Sequence, residues 1–158
     1  MRTVRLLAMV TALLFAAMAL YTAPLEPSIP VLQFTFTESA FKAVLELWQP
    51  AGIMRFKYHL AIEVPFLLCY GLLGFMMVTR TELFQLFPYS ARALLSLSLP
   101  VAAVADAVEN LLHWHLVSGD GPFASSLYLV AGMVASFKWL LIAIFSCSAA
   151  CAHYQRKG

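Results

Sequence analysis

The stretch Leu94–Val117, LLSLSLPVAAVADAVENLLHWHLV, decides how this chain is read. It is long enough to cross a bilayer, which takes about 20 mostly apolar residues. Yet near its middle sit Asp106, Glu109, Asn110 and His113. An ionised side chain at the centre of a membrane helix costs about 2.5–3.5 kcal/mol on insertion scales, so two acids in one stretch call for partners inside the protein. Positions i, i+3, i+4 and i+7 share a helix face, and residues 106, 109, 110 and 113 have that spacing. His115 points elsewhere, and Val101, Val104, Val108, Leu111 and Leu112 make the rest apolar. The polar side must face protein or a water-filled cavity, not lipid.

The rest of the chain agrees with a membrane setting. Of 158 residues, 62% are hydrophobic and only 11% are charged, with a mean hydropathy of +0.83. Soluble domains carry about 25% charged residues. The length suits a single domain. A net charge of +2 gives no case for a nucleic-acid partner. Cys69, Cys147 and Cys151 lie in apolar stretches without a CxxC spacing, so they read as buried small apolar residues rather than a disulfide framework.

Four apolar stretches are expected to span, at about 6–22, 60–78, 94–117 and 123–151. The first follows Arg2 and Arg5. It reads as a retained helix, with a cleaved signal peptide as the competing reading. Residues 23–58 form the longest polar connection. Pro24, Pro27 and Pro30 bar a continuous helix at its start. Thr35-Phe36-Thr37-Glu38 then fits a capping box with Thr35 at the N-cap. An amphipathic helix over about 36–49 follows, with Phe41, Val44, Leu45 and Trp48 on its apolar face, ended by Pro50 and Gly52. It either lies flat on the membrane or covers the bundle. In the second stretch Pro65 can kink the first turns, and Gly71 and Gly74 allow close helix approach. The fourth carries one charge, Lys138, after the small residues Gly132, Ala135 and Ser136. Ser118-Gly119-Asp120-Gly121-Pro122 is a tight turn between the last two stretches.

Orientation follows from the basic residues. With the N-terminus inside, Arg2, Arg5, Arg80, Arg92, Arg156 and Lys157 lie inside, and Lys42, Arg55 and Lys57 outside. The excess places both termini in the cytoplasm and the protein in a cytoplasmic (inner) membrane as a multi-pass protein.

Depth decides which polar residues can meet. At about 1.5 Å per residue, Asp106 lies about 16 Å below the outer end of its helix, Glu109 about 12 Å, and Lys138 about 20 Å. Asp106 and Lys138 are therefore expected to pair, with Asn110 completing the hydrogen bonds. Two further motifs mirror each other. His59-x-x-x-Glu63 descends from the outer side and Glu109-x-x-x-His113 rises toward it, with Tyr70 on the same face as Glu63. Two His and two Glu from facing helices are a candidate transition-metal site, and the two His alone candidate haem ligands. Carboxylate-bridged di-iron bundles, however, use Glu-x-x-His at i, i+3 and need more carboxylates. A proton path or a cationic ligand is a further possibility for acids inside a bundle. No G-x-S-x-G, H-E-x-x-H or Gly-rich phosphate loop is present, so the sequence leans away from an enzyme.

Tyr70-Gly71, Asp106-x-x-Glu109-Asn110 and Lys138-Trp139 together resemble a loose group of small bacterial four-span membrane proteins of uncharacterised activity. The resemblance implies that the acids, the amide and the lysine form one site. The expectation is thus an all-α four-span bundle with an extra outer amphipathic helix, a buried Asp106/Glu109/Asn110/Lys138 cluster and no cofactor. Its expected role is structural or accessory, exercised through a protein partner or a second copy within the lipid bilayer. The alternative is a bundle that binds a metal, haem, proton or small ligand at His59, Glu63, Glu109 and His113.

Overall fold

The computed structural model of the chain describes residues 2–119 and 123–156. Every element among them is helical: α1 (Arg2–Thr22), α2 (Ile29–Gln33), α3 (Glu38–Ile62), α4 (Val64–Arg80), α5 (Tyr89–Ser118) and α6 (Ser125–Gln155). By length and composition, α1, α5 and α6 can each cross a membrane. α3 and α4 qualify only as a pair, bent by 44° at their junction. The described residues thus hold three candidate spans, or four if the bent pair makes one crossing.

The second expected span is therefore not one straight helix. Leu60 to Ile62 belong to α3, and α4 begins at Val64. Pro65 is the cause. It has no N–H to offer the carbonyl of Ala61, and its ring clashes with that carbonyl. Pro65 sits instead in the first turn of α4, where a missing donor costs nothing. α4 alone has 17 residues, about 26 Å, against a hydrocarbon core of about 30 Å.

The segment before it also departs from expectation. The N-cap of α3 is Thr37, whose Oγ1 accepts from the Ala40 amide at 3.3 Å. Thr35 instead donates its hydroxyl to the Leu32 carbonyl at 2.7 Å, closing the turn after α2. α3 does not stop at Pro50. It breaks at Gln49 (φ 55°, ψ 172°) and resumes through Ile62. Helical backbone is disfavoured just before a proline, and Gln49 escapes into a region that non-glycine residues rarely adopt, at about 1–3 kcal/mol. Of the two readings of the amphipathic helix, the covering one holds. Phe41, Val44 and Trp48 are buried and pack with Leu32 of α2, Leu116 of α5 and Tyr128 of α6. Trp48 donates its indole N–H to the Pro27 carbonyl at 2.6 Å. Arg55 donates to the Tyr21 carbonyl at 2.7 Å, supplying the C-terminal end of α1 with a cation that its own last turn lacks.

α5 is the central helix, packed on α4 to one side and α6 to the other, and α1 lies against α4. Glycines set the α4–α5 distance. A Cβ on Gly74 would lie 2.5 Å from the Leu99 Cβ, and one on Gly71 would lie 3.1 Å from the Ala103 Cβ. Gly132 of α6 does the same for the α2–α3 connection, with the Thr35 carbonyl 2.6 Å from the place of its missing Cβ. The apolar core falls into three patches along α5. Leu95 joins Val78, Phe84 and Phe145; Ala102 joins Leu67 and Tyr70; Leu116 joins the α2–α3 cover. Cys69 is half-buried, and Cys147 and Cys151 are exposed on α6, contrary to the expected burial. An apolar stretch reads alike whether it faces core or lipid. Of the expected 118–122 turn, residues 120–122 lie outside the described residues.

Candidate functional site

Between the Ala102 patch and the Leu116 cover, α5 turns its polar side inward. Asp106, Glu109, Asn110 and His113 are all buried, Glu109 completely. Their common face follows from the helical spacing. What they meet follows from the neighbours.

Lys138 comes from α6. Its Nζ lies 2.8 Å from Asp106 Oδ1, to which it donates a hydrogen bond, and 2.7 Å from Glu109 Oε2 as an ion contact not aligned as a hydrogen bond. The expected Asp106–Lys138 pair is thus formed, and Glu109 shares the same cation. The Lys138 ammonium also lies 5.5 Å from the centre of the Trp139 ring, within reach of the ring's negative face. Tyr70 of α4 donates its hydroxyl to the other oxygen of Asp106 at 3.3 Å. Asp106 therefore links α4, α5 and α6.

Asn110 behaves otherwise than expected. It does not complete the Lys138 pair. Its Nδ2 donates to Glu63 Oε2 at 2.9 Å. Glu63 is the residue between α3 and α4, and the bend turns its carboxylate toward α5. The mirrored spacing sets Glu63 opposite Glu109, one residue from Asn110, but does not single out Asn110 as the donor.

The mirrored motifs stay largely within their own helices. His59 Nε2 lies 3.6 Å from Glu63 Oε2, and His113 Nδ1 lies 3.5 Å from Glu109 Oε1, both too long or too poorly aligned for hydrogen bonds. Phe56 packs against both imidazoles, at ring distances of 6.4 Å to His59 and 6.0 Å to His113, and Phe41 stacks on His113 at 5.8 Å. Among the described residues, no group of three or more His, Cys, Asp or Glu converges as a metal site would require.

The site contains one residue that the sequence did not bring forward. Gln33, at the end of α2, is buried and accepts a hydrogen bond from Trp139 Nε1 at 3.0 Å. Its only sequence signal is a glutamine closing the short run IPVLQ, and a single turn of helix leaves no periodicity to read.

The inventory of charge is the main chemical fact. Among the described residues, Glu63, Asp106 and Glu109 are three buried carboxyl groups, Lys138 is the buried ammonium with them, and His59, His113 and Tyr70 are buried titratable groups around them. Several buried polar atoms make no hydrogen bond: Glu109 Oε1, Asn110 Oδ1 and Nδ1 of each histidine. A centre of this kind can hold protons or a small cation or donor. Comparison with known protein families, with curated proteins and with solved structures finds no match for this chain.

Proposed function

We propose that this chain is a four-span protein of a cytoplasmic membrane, with both termini in the cytoplasm, whose buried polar cluster is a protonatable binding centre. α1, the bent α3–α4 pair, α5 and α6 supply the crossings. The α2–α3 cover lies on the outer side. The excess of Lys and Arg at residues 2–5, 80–92 and 156–157 over that at 42–57 supports this direction.

One observation carries the reading. Three carboxyl groups are enclosed with a single lysine. Fully ionised, they would leave two uncompensated negative charges in a low-dielectric interior, at a cost of several kcal/mol each. Two protons beyond the ordinary ionised state therefore reside on Glu63, Glu109, His59 and His113. Asp106 is the acid that both Lys138 and Tyr70 hold. A site that stores protons next to unpartnered acceptors is suited to exchanging them, or to trading a proton for a small cation.

Infrared spectroscopy and imidazole nitrogen NMR on the purified full chain in nanodiscs test this. At neutral pH we expect a carboxylic-acid C=O band that weakens in Glu63→Gln or Glu109→Gln, or an imidazolium signal lost in His59→Gln or His113→Gln. A wild-type protein at neutral pH with neither signal overturns the reading.

A second reading has its own support. Lys138 joins both acids of α5 to α6, Tyr70 brings in α4, and Asn110 brings in the α3–α4 junction. Such a network fixes which faces meet. On that reading the protein is a non-enzymatic accessory or structural membrane protein that acts through a partner or a second copy. It predicts co-purification of a defined partner that survives Glu63→Gln.

A further inference from the structure

Residues 27–48 form a flap with one fixed edge and one free edge. At the fixed edge Trp48 donates its indole N–H to the Pro27 carbonyl at 2.6 Å, so the two ends of the segment are tied to each other. The break in α3 lies at the same edge, at Gln49, whose φ of 55° is a strained setting. Beyond the break, Gly52 packs closely on this edge. A Cβ there would lie 2.9 Å from the Trp48 Cβ and 3.2 Å from Leu25 Cδ2. A segment bounded in this way can turn as one body about a few backbone torsions.

The free edge rests on α6. Gln33 accepts the indole N–H of Trp139 at 3.0 Å. The Thr35 carbonyl and the Phe36 ring sit over Gly132, 2.6 and 2.7 Å from the place of its missing Cβ. Beneath the flap lies the acid-rich centre. Phe41 stacks on His113 at 5.8 Å and meets Tyr128 edge-on at 5.4 Å. The Gln33 side chain stands beside the Glu109 carboxyl. Raising the free edge would therefore uncover His113 and Glu109 together.

The opposite direction is closed differently. Going from Asp106 toward the start of α5, Ala102 packs with Leu67 and Tyr70, and then Leu95 packs with Val78, Phe84 and Phe145. These two apolar layers extend about 16 Å along the helix. Between Ala93 and Ala105 the chain carries no acid or base. The layers are built mainly from the long helices themselves, so opening them would mean parting α4, α5 and α6. The flap is the thinner and the more movable seal.

We propose that residues 27–48 are a lid, hinged at Gln49 and latched by the Gln33–Trp139 hydrogen bond, whose lifting opens the buried centre to the face at the Ser118 end of α5. That protons pass beneath it rests on the protonatable-centre reading; the lid itself does not.

Leu116 lies under the flap and Leu95 in the far apolar layer, both buried. Leu116→Cys or Leu95→Cys is placed in a full chain carrying Cys69→Ala, Cys147→Ala and Cys151→Ala, and labelled in nanodiscs with a water-soluble maleimide. Trp139→Phe then removes the latch donor and keeps an aromatic ring, and Gly132→Leu props up the free edge. We expect Leu116→Cys to label about fivefold faster with Trp139→Phe, the factor for one net hydrogen bond lost, and faster still with Gly132→Leu. Leu95→Cys keeps its rate. Deuterium exchange at the carboxylic-acid C=O band, or at the imidazolium, speeds in parallel. If Gly132→Leu fails to fold, Trp139→Phe decides alone. Leu116→Cys labelling that ignores the latch, or Leu95→Cys labelling that rises with it, overturns the lid. Faster labelling with unchanged deuterium exchange overturns its control of the centre. A wild-type protein without the infrared and NMR signals overturns the protonatable centre instead, and labelling still decides the lid.

Discussion

Lys138 is shared by Asp106 and Glu109 at 2.8 and 2.7 Å, and its loss leaves the buried acids without their cation. Lys138→Met should destabilise the protein by about 3–5 kcal/mol, and Asp106→Asn should also be strongly destabilising. The double variant should be milder than the sum of the two, because it removes a pair and not a partner. Reversible unfolding in mixed micelles measures all three, and strictly additive losses would refute the coupling. The Asp106–Lys138 contact was legible from sequence because both residues lie deep in long helices, where counting residues gives depth. Asn110 was not. Counting sets its partner Glu63 level with the neighbouring Glu109, but does not say which side chain at that level it meets. Gln33 was hidden for a different reason. Its place is set by the strap whose Thr35 carbonyl rests against Gly132, a long-range contact with no local pattern.

At the scale of elements, close approach and helix breaks shape the site more than helix propensity does. Gly74 lets α4 settle on Leu99 with no room for a Cβ. Gly74→Ala should therefore cost about 1–3 kcal/mol, despite alanine's better helix propensity. A thermal melt that rises on this change would show that α4 and α5 are not packed as described. The same helix pair carries Tyr70 to Asp106, so the variant should loosen that hydrogen bond as well. The long helices were legible from apolar length alone, with ends displaced by a few residues. The α3–α4 bend was foreseen only as a kink at Pro65. The proline is visible in the sequence, but the side to which the chain turns is decided by the packing of Phe56 and Leu60 under the α2–α3 cover. The N-cap was misplaced by two residues, because Thr35 and Thr37 are equally good caps and only the turn after α2 occupies one of them.

Across the whole molecule, large apolar side chains cover the outside of the helices. Leu13 is 68% exposed, Val104 65% and Leu111 71%. Water would disfavour such a surface, since exposed apolar patches this extensive mark an interaction or membrane face. A charge should therefore be tolerated according to depth, not exposure. Leu13→Lys, near the middle of α1, should impair membrane integration by about 2.5–3.5 kcal/mol. Leu86→Lys, in the connection before α5 and 63% exposed, should leave it unchanged. Partition between membrane and soluble fractions, followed by carbonate extraction, reads the difference. Equal behaviour of the two variants would contradict the membrane reading of the bundle.

The position of the cluster along α5 has an electrical consequence. Its charged and titratable residues run from Asp106 to His115, and the preceding part, from Ala93 to Ala105, carries none. In a membrane held at a potential, a proton reaching Asp106 from the Ser118 side would cross about one third of the hydrocarbon, and one from the opposite side about two thirds. At about 2.3 kcal/mol per charge per 100 mV, the two routes carry electrical work of opposite sign, about 0.8 kcal/mol on the first and about 1.5 kcal/mol on the second. Occupancy of a centre open to one face would therefore rise or fall with voltage according to which face supplies the ion.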